Sequence, residues 1–310
     1  MITMAKPIHK PVLLKEVAEA LRIARGKRFI DCTLGLGGHA FNILEKSAPT
    51  GQVLGIDADP EALRIAKNNL MEYAQSIILV NDNFSNLDSI CQETGFTPVD
   101  GILFDLGVSS LQLDTAERGF SFQQDAEPDM RFSPDQILTA TDLVNVLPEH
   151  NLADLLKQYG EEPASKIISR RIVESRPIVS TLRLAQVIED AVGGRHGRIH
   201  PATRAFQALR IMVNHEMENL EKSLRQTIKH LATGGRLVII SYHSLEDRIV
   251  KQFMKEESTG CICPPQIPVC QCGHKATLKL ITKKVIMPSL AEIESNPRSR
   301  SAKMRVAERI

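Results

Sequence analysis

The chain has 310 residues, of which 43% are hydrophobic, and its formal net charge is +1. This composition supports a packed core, and the near-neutral charge excludes a protein that binds nucleic acid as a polycation, so any such affinity must come from local clusters. No apolar run is long enough to span a membrane, and the first residues lack the apolar stretch of a signal peptide; we therefore expect a cytoplasmic protein.

The first third of the chain alternates short apolar runs with helical patterns. A lead-in helix is predicted over residues 11–24, and a helix capped by Asp59 begins at Pro60. Strands that read as continuous apolar runs between helices indicate a parallel sheet covered on both faces. These strands are predicted at residues 28–31, 53–57, 77–80, 101–105 and, much later, 236–240.

The long gap before the last of these strands indicates an insertion, because a crossover between parallel strands needs only a dozen or more residues. Helices are predicted at 137–147, 149–159, 163–175 and 181–192, the last with Thr181 as its cap. A long amphipathic series from Phe206 to Leu231 is predicted as one helical run that returns to the sheet, and 278–287 and 302–310 are predicted as antiparallel edge strands. We expect an α/β domain formed by 1–109 and 205–310, with a helical insert at 110–204.

The stretch from Asp31 to His39 is typical of a strand, a glycine turn and a helix. Glycines let the backbone turn tightly and let a ligand approach the main chain, and the first N–H groups of the helix point at that ligand. The spacing Gly35-x-Gly37-x-x-Ala40 fits the dinucleotide fingerprint. By itself this match leaves cofactor binding and a plain loop equally open.

Two acids near the turn change that balance. Asp31 precedes the glycines, where a carboxylate would repel a pyrophosphate but would suit a cofactor with a positive amino group. Asp57 ends the second strand, where a carboxylate can accept hydrogen bonds from ribose hydroxyls. Together the two acids favour S-adenosylmethionine over NAD.

Two further residues follow strands of the same predicted sheet. Phe84 suits either an adenine ring or simple core packing, and the sequence leaves both readings open. Asp105 ends the fourth strand, at the edge where open parallel sheets bind ligands. Methyl transfer needs in-line alignment more than acid–base chemistry. A carboxylate that accepts the N–H bonds of an exocyclic amine would make that amine more nucleophilic, and we expect Asp105 to have this catalytic role.

Positive charge is clustered in two stretches, 191–215 and 296–305, that contain no acidic residue. Short basic runs are usually solvated faces, but two of them beside a cofactor domain suggest contacts with the phosphates of single-stranded or flipped-out RNA. The candidate RNA-binding residues are Arg198, Arg204, Arg298 and Arg300.

Four cysteines, Cys261, Cys263, Cys270 and Cys272, lie within twelve residues. A structural zinc ion takes four thiolates, although the CxC spacing is tighter than usual; a bound zinc and reduced thiols in a loop both stay open. Ser241, His243 and Asp247 suggest a hydrolase triad, but such partners normally come from distant parts of a fold. A structural or substrate-contact role is preferred for these three residues.

Taken together, these motifs resemble the MraW/RsmH methyltransferase family over essentially the whole chain. The motifs are HKPVLLKEV, DCTLGLGGH, IDADP, DNFSNL, FDLGVSSLQLD, ERGFSF, DMRF, HPATRAFQALRI and SYHSLEDRIVK. The resemblance implies a class I (Rossmann-like) S-adenosylmethionine-dependent methyltransferase sheet with an inserted α-helical subdomain. It implies methyl transfer to the N4 amine of a cytosine in the decoding centre of bacterial 16S rRNA, within the small ribosomal subunit. The cofactor contacts it implies fall on Gly37, Gly38, His39, Asp57, Phe84, Asp105 and Gln112.

Two alternatives stand beside this hypothesis. A nicotinamide-dependent oxidoreductase would bind NAD and not S-adenosylmethionine. An RNA-binding ribosome-assembly factor with a vestigial pocket would keep its activity in cells after Asp105→Ala.

Overall fold

The computed structural model describes residues 11–195, 197, 200–264, 266 and 269–310. The chain divides into two compact units, Met1–Gly107 with Met217–Ile310, and Val108–Glu216. Each unit has its own hydrophobic core. Within the described ranges, no helix combines the length and the apolar composition that crossing a bilayer requires.

The first unit contains a seven-stranded sheet in the order β3-β2-β1-β4-β5-β7-β6. Strands β1 to β5 are parallel to one another, whereas β7 runs antiparallel to both β5 and β6. The predicted Rossmann-like class I sheet with antiparallel edge strands is therefore confirmed. The strands are β1 (Arg28–Asp31), β2 (Gln52–Asp57), β3 (Ile77–Asn81), β4 (Val99–Asp105), β5 (Leu231–Ser241), β6 (Leu278–Leu280) and β7 (Lys303–Arg309).

Helices cover both faces of this sheet, which explains why its central strands read as continuous apolar runs. In β1, for example, Phe29 packs into the core with the first three helices, while its neighbour Ile30 packs into the core on the other face. The helices of this unit are α1 (Leu14–Leu21), α2 (Gly38–Ser47), α3 (Pro60–Asn69), α4 (Leu87–Thr94), α11 (Glu216–His230, which starts at the boundary), α12 (Ser244–Glu257) and α13 (Leu290–Ser295).

The second unit is helical and buries a core of its own. Its helices are α5 (Ser110–Asp114), α6 (Ala140–Val146), α7 (Glu149–Gly160), α8 (Ser165–Glu174), α9 (Thr181–Ala191) and α10 (Ala202–Asn214). It ends at Glu216 rather than at the expected residue 204, because the apolar face of α10, including Phe206 and Leu209, packs into the helical core.

Two local expectations were wrong. The apolar series from Phe206 to Leu231 is not one helix, because His215 adopts a left-handed conformation with φ 49° and separates α10 from α11. The cap of α9 is Ser180, whose side chain accepts from the backbone N–H of Arg183 at 3.1 Å. Thr181 is instead buried as the first residue of the helix, and its hydroxyl donates to the carbonyl oxygen of Gln124 at 2.9 Å.

Candidate functional site

Three carboxylates end three neighbouring strands of the sheet. Asp31 ends β1, Asp57 ends β2 and Asp105 ends β4, and β1 is paired in parallel with each of the other two. Because parallel strands end at the same edge, these side chains lie at the edge where open α/β sheets bind ligands.

The Asp57 carboxylate fixes the glycine turn that follows β1. Its Oδ2 accepts from the backbone N–H of Gly35 at 2.7 Å, and its Oδ1 accepts from that of Asp59 at 2.9 Å. The side-chain amide of Asn81, at the end of β3, donates to the backbone carbonyl oxygen of Asp57 at 2.9 Å. One acid therefore ties the ends of β1, β2 and β3 together and orders the turn before any ligand arrives.

The glycines of the turn serve different purposes. A Cβ at Gly37, which caps α2 with φ 85°, would lie 2.8 Å from Leu70, and a Cβ at Gly38 would lie 2.4 Å from Pro11. Packing alone therefore explains these two glycines. At Gly35, where φ is +53°, a Cβ would meet nothing within 4 Å. The backbone at Gly35 is thus the part of the turn that a ligand can approach closely.

Asp105 is hydrogen-bonded to residues from two other segments. Its backbone N–H donates to the hydroxyl oxygen of Thr33 at 2.6 Å, and the hydroxyl of Tyr242 donates to its Oδ1 at 2.8 Å. Burial and the Asp105 charge both raise the pKa of Tyr242 well above its ordinary value, so the phenol stays protonated and keeps donating. These contacts fix the position of the carboxylate.

His39 lies on the other side of the same carboxylate. It is buried in the first turn of α2, and its Nε2 lies 3.4 Å from Oδ2 of Asp105, close enough for an ion pair although not aligned as a hydrogen bond. Burial lowers the pKa of His39, but Asp105, Asp31 and Glu292 raise it by more, so the net pKa is above its ordinary value. A protonated His39 would balance part of the negative charge at this edge.

Asp31 is 1% exposed and is the most perturbed carboxyl of the site. Burial raises its pKa to about 7, with smaller contributions from the charges of Asp105 and Asp57 and an opposing one from His39. Its Oδ1 accepts from the backbone N–H of Thr33 at 3.2 Å, whereas its Oδ2 is buried without a hydrogen-bond partner. A positively charged donor from a ligand would supply that missing partner.

These features fit the expected cofactor. S-adenosylmethionine carries an ammonium group and a sulfonium, and the edge offers three carboxylates, one of them with an unpartnered buried oxygen. A dinucleotide would bring a pyrophosphate to the same carboxylates, which would repel it. The three carboxylates therefore suit a cationic ligand.

Phe84 opens the short 3-10 turn Phe84–Asn86 that follows β3. It is half-buried and packs edge-on against Phe104, with ring centroids 5.6 Å apart. The packing alternative is thus present in the structure, and contact with an adenine ring stays a prediction.

The remaining predicted cofactor residue, Gln112, belongs to the second unit. It is 5% exposed and forms a capping box at the start of α5: its Oε1 accepts from the backbone N–H of Ser109 at 3.0 Å, and its own N–H donates to the Ser109 hydroxyl oxygen at 3.2 Å. In the described structure this side chain shapes the loop after β4.

The predicted RNA-binding arginines fall in different settings. Arg204 is half-exposed on α10 and lies 3.7 Å from the carboxylate of Glu162. Arg298 and Arg300 are exposed on the 3-10 turn Pro297–Ser301 of the first unit. Arg198 lies outside the described residues.

Other basic residues of the two stretches form ion pairs inside the protein. Arg210 makes two hydrogen bonds to Glu216, at 2.7 and 2.9 Å, and Arg305 makes two to Asp247, at 2.7 and 3.2 Å. The sequence stretches contain no acid, but the fold supplies acids from elsewhere. These two arginines stabilise the structure and are not free to bind phosphates.

Two members of the site were not singled out from the sequence. Tyr242 comes directly after β5 and Thr33 is the second residue after β1, and both contact Asp105. Their position just beyond strand ends was the available signal.

The hydrolase-triad interpretation of the stretch around Tyr242 fails, because His243 caps α12 and Asp247 pairs with Arg305. The four clustered cysteines do lie together, with their sulfur atoms within 4.8 Å of one another.

Comparison with known proteins gives a consistent result. The model of the MraW methylase family matches residues 6–310. A relative from Dehalococcoides mccartyi, named ribosomal RNA small subunit methyltransferase H, is 60% identical over 302 residues, covering 97% of this chain and 86% of that protein. Relatives of the same name from Thermomicrobium roseum and Syntrophotalea carbinolica are 50% and 48% identical, each over 97% of this chain and over 94% and 98% of their own lengths.

Proposed function

The chain belongs to the MraW methylase family, and from that premise we propose that it transfers a methyl group from S-adenosylmethionine to the N4 amine of a cytosine in the decoding centre of 16S rRNA. The observation that carries the proposal is the cluster of Asp31, Asp57 and Asp105 at the carboxyl edge of the sheet. The names of the relatives support the small ribosomal subunit as the partner and, with it, action in the cytoplasm.

The donor-binding half of the site is assigned to residues of the first three strands. Asp57 would accept from the ribose hydroxyls, because it ends β2 at the edge where ligands bind and both of its carboxylate oxygens lie against the glycine turn and the start of α3. The unpartnered Oδ2 of Asp31 would accept from the ammonium group. Phe84 would contact the adenine ring, and the backbone of the turn from Gly35 through Gly37 and Gly38 would line the pocket.

Asp105 is the catalytic residue of the proposal. The bound donor supplies an electrophilic methyl group on a sulfonium sulfur. The Asp105 carboxylate would accept an N–H of the cytosine amine, hold its lone pair toward the methyl carbon and take up the proton that the nitrogen loses as the N–C bond forms and the C–S bond breaks. Tyr242 and His39 keep that carboxylate in place, since one donates to Oδ1 and the other lies beside Oδ2.

RNA contacts are assigned to each unit separately. The helical unit offers Arg204. The first unit offers Arg298 and Arg300, which stand on a turn directly before β7. Arginine is suited to phosphate because its planar guanidinium can form paired hydrogen bonds. Gln112 and Arg198 stay candidates on the strength of the family resemblance and the basic pattern, respectively.

The experiment uses a bacterium whose own copy of the gene is deleted, with N4-methylcytosine in its 16S rRNA measured by mass spectrometry. We expect the modification to be lost, to return with this chain, and to stay absent with Asp105→Ala. The matched control is Glu93→Gln, which removes an exposed carboxylate of α4 in the same unit and should restore the modification. An unchanged level in the deletion strain would overturn the proposed substrate.

Two measurements distinguish the alternatives, the first in the same strains and the second in calorimetry. A non-catalytic assembly factor predicts that Asp105→Ala corrects any subunit-assembly defect as well as the unaltered chain does. An oxidoreductase predicts tight binding of NAD and none of S-adenosylmethionine in calorimetry.

A further inference from the structure

A cluster of four thiols stands in the first unit, in the segment 258–277 that connects α12 to β6. Cys261, Cys270 and Cys272 are exposed and Cys263 is half-buried, and none of the four is in a disulfide. Their sulfur atoms all lie within 4.8 Å of one another. Two CxC pairs, separated in sequence by residues 264–269, are therefore brought to one point.

Two distances between the sulfur atoms are close to the edge length of a tetrahedron around one metal ion. The Sγ atoms of Cys270 and Cys272 are 3.5 Å apart, and those of Cys272 and Cys261 are 3.8 Å apart. Zinc–thiolate bonds of about 2.3 Å place the corners of a regular tetrahedron about 3.8 Å apart. A disulfide would need about 2.0 Å.

The backbone around the cluster donates to the sulfur atoms. The N–H groups of Ile262 and His274 donate to Sγ of Cys272 at 3.5 Å each, and the N–H of Gln271 donates to Sγ of Cys263 at 3.4 Å. Such donors orient thiolates and offset the excess negative charge that four of them place around a divalent ion. The loop is thus shaped around the sulfur atoms.

The large apolar side chains that the structure describes in this segment between the first and last cysteine are not buried. Ile262 and Val269 are 45% and 70% exposed. Its hydrogen bonds to α12 lie near its two ends. The N–H of Ser258 donates to the carbonyl oxygen of Met254 at 3.1 Å, and the N–H of Thr277 donates to the carbonyl oxygen of Glu257 at 2.8 Å. Nε2 of His274 lies 3.1 Å from the carbonyl oxygen of Glu256. Segments longer than about 12–15 residues without secondary structure are uncommon in compact domains, and a metal ion is a usual way to order a small unit that lacks a core.

We propose that Cys261, Cys263, Cys270 and Cys272 bind one structural zinc ion that orders the segment 258–277. Four soft thiolates in a tetrahedral arrangement select zinc, and they leave no open position for a substrate or a water molecule. The ion therefore has no part in methyl transfer. Binding releases the thiol protons to the buffer and changes no oxidation state. Nε2 of His274 contacts the Glu256 carbonyl oxygen, and the ligand atoms that the described structure brings within 4.8 Å of one another here are the four cysteine sulfur atoms.

The test measures metal in the full-length purified protein, kept reduced and dialysed after equilibration with zinc. We expect about one zinc per chain, and a cobalt-substituted sample with the d–d bands of a tetrahedral ion and strong thiolate charge-transfer absorption. The variants Cys261→Ser and Cys272→Ser should lose stoichiometric metal. Gln271→Ala, a change in the same loop at an exposed side chain between two ligands, should retain it.

Limited proteolysis supplies a second readout that does not depend on the variants. Chelation of the metal should expose the segment 258–277 to cleavage while the rest of the chain stays intact, and added zinc should restore protection. Zinc binding no greater than that of Cys261→Ser, or a cobalt spectrum without thiolate charge transfer, would overturn the proposal. So would a disulfide among these cysteines that persists in a reducing buffer at the expense of metal binding.

Discussion

Replacement of Asp31 by asparagine should stabilise the ligand-free protein and should weaken the binding of the methyl donor, S-adenosylmethionine. The carboxyl is 1% exposed, and burial raises its pKa from 3.8 to about 7. The folded state favours the neutral acid, so ionisation of Asp31 lowers the free energy of unfolding. This loss begins above the pKa of the unfolded chain and is complete above about pH 7. At 1.36 kcal/mol per pH unit this cost reaches about 4 kcal/mol at pH 8 and only about 2 kcal/mol at pH 5.

The asparagine amide keeps the hydrogen bond from the Thr33 N–H and carries no charge, so Asp31→Asn removes this cost. We expect the gain in the free energy of unfolding to be larger at pH 8 than at pH 5 by roughly 2–3 kcal/mol. Urea unfolding followed by circular dichroism measures it, with Glu93→Gln as the control that should show no such trend. A gain that does not change between pH 5 and pH 8 would refute the assignment of a buried, ionised Asp31.

Three further predictions concern the same edge of the sheet. Asp105→Asn should lower kcat for methyl transfer by on the order of 100-fold or more, with donor affinity changed by only a few-fold, in an assay with a tritiated methyl donor; a normal kcat would remove Asp105 from the chemistry. Tyr242→Phe deletes the 2.8 Å hydrogen bond to Asp105 and should lower kcat by roughly 10-fold, given the usual strength of hydrogen bonds to charged groups; an unchanged kcat would mean that this bond does not position the carboxylate. Gly38→Ala would place a Cβ 2.4 Å from Pro11 and should lower the free energy of unfolding of the ligand-free protein by about 1–3 kcal/mol, measured by thermal unfolding. At Gly35 a Cβ meets open space, so Gly35→Ala should reduce the affinity for the methyl donor more than Gly38→Ala does. The reverse order of affinities in calorimetry would contradict these separate roles of the two glycines.

The sheet could be predicted because its central strands are buried on both faces and therefore show as apolar runs with acids at their ends. The break at His215 could not, because a left-handed residue that is neither glycine nor asparagine carries no local signal. The sequence also missed the pairing of Arg305 with Asp247, since these residues are far apart in the chain and meet only through the packing of β7 beside α12.

The residues of the candidate site also fall into those that the sequence predicts and those that it does not. Asp31, Asp57 and Asp105 were found from their positions at strand ends, whereas His39 and Gln112 were named only through the family resemblance. The sequence did not predict Tyr242 as a member of the site, because the serine, histidine and aspartate of the same stretch match the composition of a hydrolase triad. Its contact with Asp105 depends on the neighbouring positions of β4 and β5 in the sheet, which residue spacing does not reveal.

The most direct test of the central claim is a crystal structure of the protein with S-adenosylhomocysteine, the product of the donor. The account predicts a ligand at the carboxyl edge of the sheet, with its ribose hydroxyls on Asp57, its ammonium group on Asp31 and its sulfur on the side of Asp105. A ligand bound elsewhere, or a pocket in which these carboxylates contact only protein groups at saturating ligand, would contradict it.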